Sequence, residues 1–210
     1  LQVKYYWTPE TDLDGIPVVI SRTGWTGEMG YEIYLRDPSR GNELWERIME
    51  AGKPHNIRPI APCEARKIEA GILNHGQSMT IANNPYEIMG FERLVEEQSA
   101  NYIGKQALAK IKQEGVKQRM VGIKVALERT ALWMEDAWPV YKEGKKIGKI
   151  TDLAWSPRLE KNIGFVWLET KYSSPDIELE IHSIDGKLKG VTSEIPFIDV
   201  KKKTPSVKLY

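Results

Sequence analysis

The segment Ile16–Ser21 (IPVVIS) is a β-branched run after the turn signal Asp14-Gly15 and reads as a buried strand. Residues 31–35 (YEIYL) alternate, which predicts a second strand. Its Tyr31, Ile33 and Leu35 would face a core, and Glu32 and Tyr34 a cleft or solvent. Gly24, Gly27 and Gly30 punctuate a tight loop between the two. Val3, Tyr5 and Trp7 alternate as a strand would at the start of the chain. Asp37-Pro38-Ser39 then breaks the pattern. Leu44, Trp45, Ile48 and Met49 define one face of a helix over 42–51, which Gly52 would end as a C′ glycine. Ala65, Ile68 and Ile72 form the stripe of a second helix running from 62 to about 73.

Residues 74–100 are irregular, with Asn83-Asn84-Pro85 as the strongest breaker, and a helix over 104–113 follows. After Gly115 the period changes. Residues 116–126, 138–141, 146–153, 163–168, 177–182 and 187–192 read as strands, with Glu143-Gly144 and Asp185-Gly186 as hairpin signals. The fold class is therefore α+β in the first part and an all-β barrel or sandwich in the second. The boundary lies near residue 114: an α+β segment over 1–80, a connecting segment with a helix over 81–114, and an all-β domain over 115–210.

The 210 residues and a hydrophobic fraction of 41% supply enough apolar material for real cores. They exclude a disordered tail, and no apolar run is long enough to span a membrane. The net charge of +1 hides an asymmetry: residues 1–100 carry 10 basic and 15 acidic side chains, and the rest 20 and 14. The lysines of the second half are scattered over strands and turns, which reads as a solvated surface rather than a nucleic-acid footprint. The single Cys63 cannot pair internally, which favours a reducing, cytoplasmic setting. The chain begins at Leu1 rather than Met and reads as a piece of something longer.

P-loop, dinucleotide and nucleophile-elbow motifs are missing, and His55, His75 and His182 are far apart in sequence, so no metal site is expected. The informative stretch is 21–34 (SRTGWTGEMGYEIY). Glu32 and Tyr34 share a strand face, and the glycine-rich loop can fold Trp25 over it. A carboxylate beside two aromatic rings suits an aminopyrimidinone edge, which offers two parallel N–H donors, or a cation held by the rings. The same pattern also fits a solvated strand face with an ordinary surface Glu. Glu28 is a loop residue with a weaker claim, and Trp45, Trp133, Trp138, Trp155 and Trp167 are assigned to packing.

The run R-T-G-W-T-G-E-M-G-Y-E resembles the R-T-G-Y-T-G-E-x-G-[FY]-E signature of the glycine-cleavage T-protein (aminomethyltransferase) family. Residues 64–71 (EARKIEAG) resemble that family's A-R-D-x-L-R-L-E-A-G helix, 84–87 its S-P-x-E turn, and 102–108 (YIGKQAL) its F-I-G-[RK]-x-A-L element. Residues 146–166 are similar to the S-P-x-L region of its C-terminal barrel. Trp25 stands where the family usually has Tyr, Lys67 where it has Arg, and Asp152-Leu153 where it has Ser-Gly. Residues 64–90 look most like the dimethylsulfoniopropionate demethylase branch of the family.

The resemblance implies part of a folate-binding α+β domain followed by the C-terminal barrel, with further active-site residues supplied upstream. It implies Glu32 and Lys67 at tetrahydrofolate and Trp25 and Tyr34 at the substrate; a solvated helix position is the other reading of Lys67. The activity implied is transfer of a methyl group from dimethylsulfoniopropionate to tetrahydrofolate, giving 5-methyltetrahydrofolate and methylmercaptopropionate. The alternatives are aminomethyl transfer in glycine cleavage or a related folate-dependent demethylation, and a non-catalytic folate-binding protein. The implied partners are a small sulfonium substrate and folate, with neither nucleic acid nor membrane, and a homodimer is compatible with this reading.

Overall fold

The computed structural model describes residues 3–96, 98–129, 134, 136–184, 186–201, 203 and 204. Trp133 and Asp185 lie outside the described residues. The chain forms two compact units, one of residues 1–63 with the tail from 201 and one of residues 64–200. This spatial division precedes the change of sequence pattern near 114, because residues 64–94 pack on barrel strands.

The first unit is a three-stranded antiparallel sheet, β1 (Glu10–Leu13), β2 (Ile16–Ser21) and β3 (Glu32–Leu35), in that spatial order. Ile16, Val18 and Ile20 of β2 point to one face, where they pack with Val3 and with Leu44 of helix α1 (Gly41–Gly52). In the register of β2 with β3, Val18 opposes Leu35 and Ile20 opposes Ile33, so the face expected for Ile33 and Leu35 is the core face. Only Leu35 packs there: Ile33 remains 37% exposed, and Tyr31 precedes the strand and is exposed. β3 is an edge strand, so its outer part has no neighbour to cover it among the described residues.

Three expectations for this unit change. Val3–Trp7 is no strand: the chain turns at Lys4–Trp7, with Tyr6 at φ 66°. β1 instead occupies Glu10–Leu13, a polar stretch with no apolar alternation. Gly52 is right-handed and belongs to α1. Asn56, at φ 56°, is the C′ residue. The Asn56 N–H donates to Lys53 O and the Ile57 N–H to Gly52 O, both at 3.1 Å, the paired bonds of a Schellman cap. Glycine is required at 52 for space, since a Cβ there would lie 2.4 Å from Ile57 Cγ2. Trp45 is 54% exposed rather than packed, because α1 turns Leu44 and Ile48 to the sheet.

The second unit is built on a closed six-stranded antiparallel barrel. Its strands are β4 (Gln118–Ala126), β5 (Trp138–Lys142), β6 (Lys145–Ser156), β7 (Lys161–Glu169), β8 (Glu178–Ser183) and β9 (Gly186–Ser193). They close in the order β4-β7-β6-β5-β8-β9. All six lie where alternation and hairpin signals predicted strands, and closure selects the barrel over the sandwich. Glu143 and Gly144, at φ 51° and 77°, make the tight turn between β5 and β6. Val121, Ile123, Val140, Ile150, Val166 and Ile181 fill the interior.

Outside the barrel, Met120, Ile163, Phe165 and Trp167 pack against Ile68 of helix α2 and Ile88. α2 spans only Glu64–Glu69, shorter than predicted, and Ile72 falls beyond its end. Helix α3 (Lys105–Glu114) ends at left-handed Gly115. Trp138 and Trp167 pack as expected, while Trp155 is half-buried.

Candidate functional site

Strand alternation and register together define the polar face of the first sheet. Ser21 of β2 opposes Glu32 of β3, and Val19 opposes Tyr34. Glu32 and Tyr34 therefore share one face, opposite the Ile16–Val18–Ile20 core. Tyr34 is 53% exposed and presents its ring to solvent. Trp25 is partly buried and sits in the glycine-punctuated loop joining β2 to β3; Glu28 lies in the same loop.

Glu32 is not a free surface carboxylate. The Thr23 hydroxyl donates to its Oε2. Thr23 in turn shares a 2.7 Å hydrogen bond with the Ser21 hydroxyl, and Ser21 Oγ lies 3.3 Å from Thr8 Oγ1. Ser21 is buried. The other oxygen of Glu32 has no protein partner among the described residues. One oxygen is thus fixed from behind and one edge stays open, the arrangement that can accept two parallel N–H donors from a planar ligand. The alternation of β3 places Glu32 on this face but does not show this support. The two hydroxyls reach Glu32 from a neighbouring segment, Ser21 at the end of β2 and Thr23 just beyond it.

Lys67 lies in the other unit, on α2. It is 0% exposed, so the solvated helix position is excluded. Its Nζ donates to Asp152 Oδ1 at 2.8 Å and lies 2.5 Å from Glu64 Oε2. Asp152 also accepts from Ser78 Oγ and Thr151 Oγ1, each at 2.8 Å. Asp152 owes its direction to β6, where the register with β7 shifts between Ile150 and Asp152. Trp167 Nε1 donates to Ser78 O at 2.9 Å, and Ser156 Oγ donates to Glu69 Oε1 at 2.6 Å. These buried bonds tie α2 and the 74–79 segment to the barrel wall.

The structure brings Glu32 and Tyr34 together, puts Trp25 on the adjoining loop, and sets Lys67 in a separate polar cluster. Among the described residues no group of His, Cys, Asp and Glu is placed to hold a metal ion. No helix among them is long and apolar enough to cross a membrane. Cys63 is exposed.

A small antiparallel sheet followed by a closed barrel is an architecture seen in known proteins. Residues 1–99 match the GCVT N-terminal domain, and residues 118–199 match the glycine cleavage T-protein C-terminal barrel domain. The aminomethyltransferase of Desulfitobacterium hafniense (strain DSM 10664 / DCB-2) is 36% identical over 183 residues, covering 86% of this chain and 48% of the relative. The aminomethyltransferase of Bacillus cytotoxicus is 34% identical over 200 residues, covering 93% and 53%. The crystal structure of glycine cleavage system aminomethyltransferase T from Bartonella henselae superposes with a TM-score of 0.80 at 20% identity, covering 93% of this chain and 53% of that one. The chain belongs to the glycine cleavage T-protein family and carries part of the GCVT domain followed by the closed C-terminal barrel. It spans about half the length of the curated relatives it matches.

Proposed function

We propose that this chain supplies the pterin-holding carboxylate of a tetrahydrofolate-dependent one-carbon transferase of the aminomethyltransferase type. The observation that carries the reading is Glu32, anchored through one oxygen by Thr23 and open at the other, on the strand face it shares with Tyr34. A 2-amino-4-oxo pterin edge offers two parallel N–H donors, and a carboxylate accepts both with charge-assisted bonds. Each carboxylate oxygen has two acceptor sites, so the Thr23 bond leaves room for the ligand. Tyr34 and Trp25 would form the wall against which folate and the one-carbon donor are held. The protein's work in such a transfer is alignment of the donor carbon with a folate nitrogen and exclusion of water. The relatives' name supports an aminomethyl donor; from an aminomethyl group carried on a lipoyl sulfur, transfer would give 5,10-methylenetetrahydrofolate, ammonia and the freed lipoyl thiol.

A second reading rests on Trp25. A sulfonium donor such as dimethylsulfoniopropionate is a cation with a neutral thioether leaving group, and an indole face stabilises a cation by roughly 0.5–2 kcal/mol. Under this reading the product is 5-methyltetrahydrofolate. Because the positive charge fades as the methyl group leaves, the aromatic contact would serve binding more than rate. Lys67, which the family resemblance would put at tetrahydrofolate, is locked to Asp152 and Glu64. The setting proposed is the cytoplasm.

Titration of the intact protein with 5-formyltetrahydrofolate tests the shared part of both readings. Glu32→Gln should weaken binding about 10- to 100-fold, the range of a hydrogen bond to a charged group. Equal affinity of the two proteins would remove Glu32 from the pterin site.

A further inference from the structure

We infer that Ser21 and Thr23 are positioning residues for Glu32, acting as a one-way hydroxyl relay that fixes which edge of the carboxylate meets the ligand; this rests on Glu32 being the pterin's acceptor. The direction of the relay follows from counting protons. Each hydroxyl has a single hydrogen to donate. Thr23 spends its hydrogen on Glu32 Oε2. The 2.7 Å bond between Ser21 and Thr23 must therefore be donated by Ser21. The hydrogen of Ser21 is then committed, so the 3.3 Å contact with Thr8 must be donated by Thr8. The order is Thr8 to Ser21 to Thr23 to Glu32.

Two physical consequences follow. The chain ends on Glu32 as the acceptor of the Thr23 hydrogen bond, and successive hydrogen bonds polarise one another in the same sense. The relay also immobilises the carboxylate. Glu32 is on an exposed edge strand, where an unsupported side chain would sample several rotamers and lose the freedom only on binding. Ser21 anchors the device because it is buried at 5% exposure and directly opposes Glu32 in the strand register. Thr23 reaches the carboxylate diagonally from just beyond the end of β2. Its bond occupies Oε2, and the other oxygen has no protein partner among the described residues.

The test uses the intact protein and two probes, 5-formyltetrahydrofolate and its analogue in which a 2-methyl group replaces the 2-amino group. The analogue has lost one of the two donors that the carboxylate reads. The wild type should prefer the amino form. Thr23→Val should weaken binding of the amino form roughly tenfold and leave the analogue nearly unchanged, narrowing the preference. Thr23→Ser should restore it, and Ser21→Ala should lie between. Thermal melting of each variant separates loss of fold from loss of selectivity. Thr23→Val that leaves the preference intact, or that weakens both probes alike, overturns the relay. Glu32→Gln distinguishes the two levels: if it abolishes the preference while Thr23→Val does not, the relay alone fails. If Glu32→Gln leaves the preference untouched, the pterin reading fails and the relay with it.

Discussion

Lys67 and Asp152 are separated by 85 residues in the chain and meet in a fully buried ion pair, Nζ to Oδ1 2.8 Å. Both stand at positions where the sequence departs from the family pattern, an Arg in one case and a Ser in the other. Each departure could be read separately, but no periodicity links a helix position to a strand position across the intervening residues. The pair appears only when β6 shifts register beside Asp152 and turns that side chain toward α2.

Removing Lys67 leaves Asp152 charged and without its cation in the interior. Lys67→Met should therefore destabilise the protein by about 3–5 kcal/mol in urea unfolding. Lys67→Met combined with Asp152→Leu should cost clearly less than the two single changes added together, with a coupling of about 2 kcal/mol. Additive effects would mean that the two charges do not support each other.

The end of α1 depends on two different residues for two different reasons. Gly52→Ala should cost about 1–3 kcal/mol, because the new Cβ would overlap Ile57. Truncating Ile57 to Ala in the same protein should recover part of that loss. Asn56→Gly should be neutral or slightly stabilising, since Asn56 is already left-handed. If instead Asn56→Gly were as harmful as Gly52→Ala, the assignment of the C′ position would be wrong.

On the barrel, Glu180 Oε1 lies 2.7 Å from His182 Nε2 and accepts from Lys187 Nζ at 3.0 Å. The His182 bond first, and then the Lys187 bond, hold its carboxyl below the usual glutamate range. A carboxyl with a depressed folded-state value contributes stability that is present above the unfolded value and is lost as the pH falls through the folded one. An NMR titration of Glu180 should give a midpoint below that of an ordinary glutamate. His182→Asn with Lys187→Ala should move it back up, and an unmoved midpoint would show that neither neighbour matters.

The close approach of β6 to β7 has its own signature. A Cβ at Gly148 would lie 1.9 Å from the backbone oxygen of Trp167, which cannot swing away as a side chain can. Gly148→Ala should cost at least about 3 kcal/mol and lower the thermal midpoint of the barrel. A variant as stable as wild type would contradict this strand spacing.

Legibility in the sequence followed the strength of the local signal. The barrel strands were readable because half-buried strands alternate, and turns such as Glu143-Gly144 mark their ends. β1 was not, since Glu10, Thr11 and Asp12 carry no apolar alternation and become a strand by pairing with β2. Gly52 misled because glycine usually marks a left-handed cap, whereas here it answers to the bulk of Ile57. Glu32 and Tyr34 were legible as a shared face, since two residues on one strand fix each other's direction. The hydroxyls behind Glu32 and the burial of Lys67 were not, because both depend on partners from other elements.

The most direct test of the central claim is a single-turnover reaction of the intact protein with tetrahydrofolate and a lipoyl-bound aminomethyl carrier, run beside one with tetrahydrofolate and dimethylsulfoniopropionate. The expected result is 5,10-methylenetetrahydrofolate with one equivalent of ammonia from the first donor, strongly reduced by Glu32→Gln. Formation of 5-methyltetrahydrofolate from the second donor alone would move the assignment to the sulfonium reading. No folate product from either donor, or a product yield indifferent to Glu32→Gln, would contradict a folate-dependent transfer at this site.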